Sequence, residues 1–201
     1  MLFNTKDIHP QDIYTLLVGS VMPRPIAWVG SLDENGVANL APYSFFTVAS
    51  VNPPVIAITM SNKEQGTNKD SLINIKKSQC FSVSMVSHEN AEAMSMTAGL
   101  YAPEVNEFDV AGLTQIPCNT INSVRCKEAQ VSFECKLLEL KSFGDQLGAG
   151  NLVLANVVAI NVDDNVIDGY KIDSSKIDLV GRLAGAKYTK TRDTFEIQRP
   201  E

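Results

Sequence analysis

Histidine is nearly missing from this chain of 201 residues: only His9 and His88 occur, each among polar neighbours in what reads as a loop or the end of an element. Solvated surface positions suit both better than catalytic roles do, so mechanisms that run on a histidine base lose their usual agent. Other signatures are missing too. There is no GxxxxGK[ST], no HExxH and no GxSxG, which removes the common motifs for nucleotide hydrolysis, zinc proteolysis and serine hydrolysis. Gly148 with Gly150, and Gly181 with Gly185, lack the strand, glycine turn and helix order of a dinucleotide fingerprint and read as turns. Cys80, Cys118, Cys126 and Cys135 show no CxxC or other tight ligand spacing, so they are expected to be structural thiols, with no metal site.

Long apolar runs are also lacking. Nothing approaches the roughly 20 residues needed to cross a bilayer, and residues 1–8 carry charge where a signal peptide is hydrophobic. The expectation is a cytoplasmic protein that engages no membrane. Positive charge is in the minority, 17 Lys plus Arg against 23 Asp plus Glu for a net charge of −6. That balance argues against a broad grip on nucleic acid and confines any anion site to a small local pocket.

What is present is globular. A hydrophobic fraction of 44% with 20% charged residues suits a compact fold, and the length suits a single domain over 1–201. After a polar opening, residues 26–32 read as a strand, 33–36 as a turn and 37–40 as the returning partner. Residues 43–50 and 55–60 are β-rich and separated by Asn52-Pro53-Pro54. Thr67 offers an N-cap hydroxyl with Asp70 three residues on, so a helix is expected to begin near Thr67 and to end at Lys76-Lys77. Residues 81–86 alternate as a strand and 89–97 have helical composition. Residues 99–112 read as loop with a short helix, 131–140 and 151–162 as long strands, and 179–198 as a mixed tail. About seven or eight strands with two or three helices, and no βαβ alternation, predict a mainly β fold: a closed or split antiparallel barrel with Greek-key-like strands.

Two segments carry candidate chemistry. Between 61 and 74, Lys63, Thr67, Asn68, Lys69 and Ser71 gather around the expected helix start, where N–H groups, a cation and hydroxyls can hold a phosphate. A capped surface helix with ordinary charges accounts for the same residues. Upstream, Pro23-Arg24-Pro25 fixes an extended backbone before a strand, and Asn39-Leu40-Ala41-Pro42-Tyr43-Ser44 interrupts the next ladder. Amides freed there could serve the edge of a flat heteroaromatic ring, and a proline-limited edge strand with a bulge is the plainer alternative. With so few general bases, catalysis would rest on a bound cofactor, which points to redox chemistry.

Several blocks in order, MPRPIAWV at 22–29, NLAPYSFF at 39–46, Pro53-Pro54, KDSLINI at 69–75, VNEFDVAGL at 105–113, ECK at 134–136 and VGRLAGAKY at 180–188, resemble the flavin reductase-like, FMN-binding family with its flavoredoxin-like members. The resemblance runs nearly end to end. It implies a split barrel that forms a homodimer, with FMN held non-covalently near the interface. It also implies NADH or NADPH as reductant and a small-molecule or protein electron acceptor. Carried over by position, Arg24, Pro25, Ile26 and Ala27 with Ala41, Pro42, Tyr43 and Ser44 would surround the flavin ring. Ser61, Lys69, Asp70 and Ser71, with Thr67 beside them, would face the phosphate. Arg182, near Tyr188, would approach a cofactor site. Ser71 stands where relatives often have threonine and keeps the hydroxyl; Tyr43 stands where phenylalanine is common. No residue is implied as a covalent catalyst. A non-enzymatic FMN-binding electron carrier or sensor is the alternative.

Overall fold

In the computed structural model, residues 1–64 and 66–200 are described. The chain opens with helix α1 (Pro10–Ser20), then strands β1 (Ala27–Leu32), β2 (Ala38–Tyr43), β3 (Phe46–Val51) and β4 (Pro54–Ser61). Helix α2 (Asp70–Ser78) leads to β5 (Cys80–Met85), and α3 (Ala91–Met96) and α4 (Glu107–Val110) precede the short hairpin β6 (Gln115–Pro117) and β7 (Val124–Cys126). The long strands β8 (Val131–Ser142) and β9 (Gly150–Val162) follow. The chain closes with the small pair β10 (Ile167–Asp168) and β11 (Lys171–Ile172), helix α5 (Ser174–Ile177), and the hairpin β12 (Val180–Arg182) and β13 (Tyr188–Lys190).

Seven strands form one sheet in the order β2-β1-β5-β8-β9-β4-β3, with every neighbouring pair antiparallel. The two edges of this sheet, β2 and β3, are joined by Ser44 and Phe45 alone. Three Cα steps reach at most about 11 Å, so the sheet must roll until its edges meet at that corner. The result is a split barrel. Its interior holds side chains from both ends and from the middle of the sheet: Ala27 and Val29, Ile58 and Met60, Phe81 and Val83, and Val153, all fully buried. Alternation sends Trp28 and Leu40 to the opposite face, where they form a second core with Met94, Phe108 and Val180. The Trp28 indole N–H donates to the Thr97 hydroxyl at 2.9 Å, so burial of that ring leaves no polar group unpaired. Gly30 lies where a Cβ would sit 2.4 Å from the Val124 carbonyl oxygen, which is why β1 carries no side chain there.

The strands at 81–86, 131–140 and 151–162 occur as expected, the latter two running on to Ser142 and starting from Gly150. Three expectations are corrected. The opening is not merely polar: His9 caps α1, its Nδ1 accepting from the Gln11 N–H at 3.2 Å, with Pro10 filling the first helical position. Helix α2 begins at Asp70 with Lys69 as N-cap, whereas Thr67 pairs with Glu64 in an isolated bridge and its carbonyl accepts from the Lys63 N–H. Tyr43 closes β2 and is not part of the next strand, because the chain turns the barrel corner at Ser44 and Phe45. The count also differs: thirteen strands and five α-helices are present among the described residues, since short hairpins in the loops add to the main sheet.

Candidate functional site

A two-lobed cleft opens at the split. Its first lobe, about 230 Å³, lies between β2, the end of β4 and the start of α2; the second, about 260 Å³, lies between β2, α1 and the β12–β13 hairpin. Tyr14, Pro42, Tyr43, Ser44 and Ala98 line both.

The first lobe has its cations at one end. Lys63 pairs with Asp70 at 2.5 Å, and Lys69 lies beside them with no ion pair of its own among the described residues. Burial, with the neighbouring Lys63 charge, pulls the Lys69 ammonium below the ordinary lysine range against the opposing pull of Asp70. Two lysines therefore share one aspartate. The first-turn N–H groups of Asp70 and Ser71 find no acceptor among the described residues, and Lys69 gives α2 no side-chain cap. Positive charge and N–H groups without an acceptor among the described residues, brought together at one helix start, are the chemistry that suits an anion.

Behind this end runs a buried polar relay. The Ser71 hydroxyl donates to Asn39 Oδ1 at 2.6 Å, Asn39 Nδ2 donates to Glu107 Oε1 at 2.7 Å, and the Leu40 N–H donates to Glu107 Oε2 at 3.0 Å. Burial pushes the Glu107 carboxyl above its usual range, while the Leu40 and Asn39 donors hold it back. Because the Leu40 N–H points away from β1, strand alternation turns Pro42 outward as well. A proline there costs no ladder bond and keeps the edge of β2 open to the cleft. Tyr43, opposite Ala27 across the β1–β2 pair, packs against the barrel core. Burial pushes its phenol above the ordinary tyrosine range; the Ser71 hydroxyl offsets part of this, and Asp70 and Glu107 add to it. It serves as a neutral hydroxyl on a flat wall.

Arg24 dominates the base of the second lobe, but as a tie. Its guanidinium donates to the carbonyls of Val18 at 2.7 Å, Val21 at 2.6 Å and Leu183 at 3.1 Å. Its backbone exchanges two hydrogen bonds with Arg182, fastening the C-terminal hairpin to the approach to β1. Arg182 is half-buried, its guanidinium 4.6 Å from the Tyr188 ring centre and bonded to the Tyr188 hydroxyl and, at 2.5 Å, to the Gly185 carbonyl.

Of the residues singled out in the sequence, Ala41, Pro42, Tyr43, Ser44, Ser61, Lys69, Asp70 and Ser71 line the first lobe, and Arg24, Ile26 and Arg182 the second. Four lie elsewhere, Asn68 among them. Ala27 is fully buried in the barrel core, Pro25 lines a separate apolar pocket behind β1, and Thr67 is exposed in its turn. Sequence reasoning passed over Tyr14, Thr97, Gly99, Tyr101 and Glu107, which line the first lobe from α1, α3, the loop after it and α4. The His9-Pro10 start followed by Ile13, Leu16 and Leu17 was a usable sign of α1. Nothing local marks Glu107 as a partner of Asn39, 68 positions away.

Fold and cleft define a split-barrel protein whose cleft has two lysines at the start of α2. The sequence profile of the flavin reductase-like domain family matches residues 18–174, and the chain belongs to that family. Nitrilotriacetate monooxygenase component B from Bacillus cereus is similar at 32% identity and a TM-score of 0.94, with 98% of each chain covered. 2-Nitrobenzoate 2-nitroreductase from Pseudomonas fluorescens is similar at 30% identity and 0.90, covering 100% of this chain and 96% of that one. An uncharacterized protein of Aquifex aeolicus shares 38% identity over 191 residues, 94% of this chain and 95% of its own.

Proposed function

We propose that this protein is an FMN-dependent oxidoreductase that takes reducing equivalents from NADH or NADPH and delivers them to a small-molecule or protein acceptor. The observation that carries the reading is the surplus cation at the start of α2. Among the described residues Lys63 and Lys69 have only Asp70 between them, next to two N–H groups without an acceptor and in a cleft whose other wall is flat and partly aromatic. A phosphate dianion fits that end because it supplies the missing negative charge, and a planar ring fits the wall of Pro42, Tyr43 and Ser44. Bound FMN would supply the redox chemistry. The chain's own residues bind and orient. Lys69 and the α2 N–H groups take the phosphate, the Glu107–Asn39–Ser71 relay fixes that end, and the outward edge of β2 faces the ring. The resemblance to a monooxygenase component and to a nitroreductase supports redox work over mere carriage.

Assembly as a homodimer in the cytoplasm belongs to the same proposal. Helix α1 buries only Val18 while Tyr14, Leu17 and Val21 stay exposed beside the cleft, and β3 exposes Val48 and Val51, apolar surface that a second copy would cover. All four cysteines are free. Among the described residues no helix is long and apolar enough to cross a membrane.

The test is a visible spectrum of protein mixed with FMN, followed by NADH and NADPH titrations under air. Retained flavin bands and flavin-dependent nucleotide consumption are expected. Protein that holds FMN but oxidises neither nucleotide is an electron carrier instead, and protein that holds no flavin refutes the reading.

A further inference from the structure

We infer that the second lobe is the seat of an anionic planar substrate, gripped by Arg182, and that it is distinct from the phosphate end. The inference rests on the proposed flavin function and names what the other half of the cleft takes. Among the described residues no aspartate or glutamate lines this lobe, although acids outnumber bases in the chain, whereas Asp70 and Glu107 both line the first lobe. Two arginines line it, and neither forms an ion pair among the described residues.

The two guanidinium groups are not equivalent. Arg24 is buried and spends four of its five N–H directions, on Val18, Val21, Leu183 and, at 3.5 Å, the Ser44 hydroxyl. It is committed to holding the fold. Arg182 spends two, on Tyr188 and Gly185, and is only half-buried. Its Nε and remaining N–H groups make no hydrogen bond among the described residues, and a guanidinium fork suits a carboxylate or phosphate in a bidentate pair. The side chain is also held in place: Tyr188 lies under the guanidinium, and the Arg24–Arg182 backbone bridge pins the hairpin, with Gly181 close enough that a Cβ there would stand 2.8 Å from Pro23. A positioned cation with spare donors, beside the Tyr188 ring that lines this lobe alone, suits an anion attached to a flat ring.

The shared chemistry is the anionic group, and two sources can present it: an aromatic carboxylate, or the 2′-phosphate that separates NADPH from NADH. After FMN affinity has been measured, FMN-loaded wild type and Arg182→Gln are titrated with benzoate, its neutral counterpart benzamide, NADH and NADPH, anaerobically for the nucleotides. Flavin absorbance changes and calorimetry report the binding. The expected result is that one anion binds about tenfold or more tightly than its neutral or dephosphorylated counterpart in the wild type. Titrated at saturating FMN, Arg182→Gln should lose that preference. Loss of a benzoate preference assigns a carboxylate substrate, and loss of an NADPH preference assigns the nucleotide phosphate. Absence of both preferences in wild type, or their survival in Arg182→Gln, overturns the inference with the flavin reading intact; absence of FMN binding brings down both. If Arg182→Gln fails to fold, Arg182→Lys, which keeps the charge and loses the fork, should show a reduced preference, and an undiminished one overturns the inference.

Discussion

Replacing Lys69 by alanine separates phosphate recognition from everything else the cleft does. Lys69 has no ion pair or side-chain hydrogen bond among the described residues, and its charge is disfavoured by burial and by Lys63, so the free protein gives up little on losing it. A bound phosphate, in contrast, loses a charge-assisted partner worth about 1.5–3 kcal/mol, which is about a ten- to hundredfold weaker FMN affinity. Riboflavin has the same ring and no phosphate, so its affinity should not change. Lys63→Ala is the milder counterpart, because that ammonium already pairs with Asp70 at 2.5 Å. The assay is flavin fluorescence quenching with FMN and riboflavin in parallel, with urea denaturation as the folding control. The pH dependence has a defined sign. In the free protein Lys69 loses its proton below the ordinary lysine range, and a phosphate dianion favours the protonated form. FMN affinity should therefore fall as pH rises through the lowered value, and Lys69→Ala should flatten that decline. Equal losses for FMN and riboflavin, or no loss for either in a folded variant, would refute the phosphate assignment.

Three further outcomes test the frame around the cleft. Ser71→Ala removes the donor to buried Asn39 Oδ1 and should cost about 1–3 kcal/mol of stability in denaturant titrations, even without flavin. Glu134 is fully buried. Burial would push its carboxyl up, but the Thr120 hydroxyl and the N–H donors of Asn119, Asn161 and Thr120 hold it at about 2. Being depressed, it stabilises the fold above its ordinary value and loses that stabilisation as pH falls from about 4.5 towards 2. Glu134→Gln should lower stability at neutral pH by about 3 kcal/mol and flatten the acid limb of the stability profile; an unchanged acid limb contradicts the account. Gly30→Ala would place a Cβ 2.4 Å from the Val124 carbonyl oxygen and 2.6 Å from the Ser82 hydroxyl. Overpacking against backbone should cost about 1–3 kcal/mol or more, visible as a lower midpoint in thermal melts.

Legibility in the sequence followed the range of the interactions. Strands β5, β8 and β9 were readable because alternation or a β-branched run records which faces are buried, and that information lies within each strand. Helix α2 is legible, but the start expected near Thr67 lies three residues before Asp70, where it begins. The Thr67 and Asp70 spacing satisfies a capping pattern, yet Thr67 is taken up in a turn against Glu64 and Lys63. Helix α1 has a local sign in its His9-Pro10 start and in Ile13, Leu16 and Leu17 at helical spacing, although it buries Val18 alone. Among the candidate site residues, Ala41–Ser44, Ser61 and Lys69–Ser71 do gather in one lobe. Ala27 follows strand alternation into the core even though its neighbour Ile26 reaches the cleft.

The sequence alone determined the antiparallel character, the proline-broken edge at Pro42, the cation-rich segment before α2 and, through blocks spread along the chain, membership of the family. Tertiary structure decided what those segments face. Closing the barrel across Ser44 and Phe45 set Lys69 opposite the loop after α3 and made Ser71 the end of a relay to Glu107 through Asn39. It also brought Arg182 back to Arg24 across 158 positions. Local propensities act over a few residues, whereas these contacts form only once the rolled sheet has fixed which edge meets which, and no pattern within a window of sequence encodes that meeting.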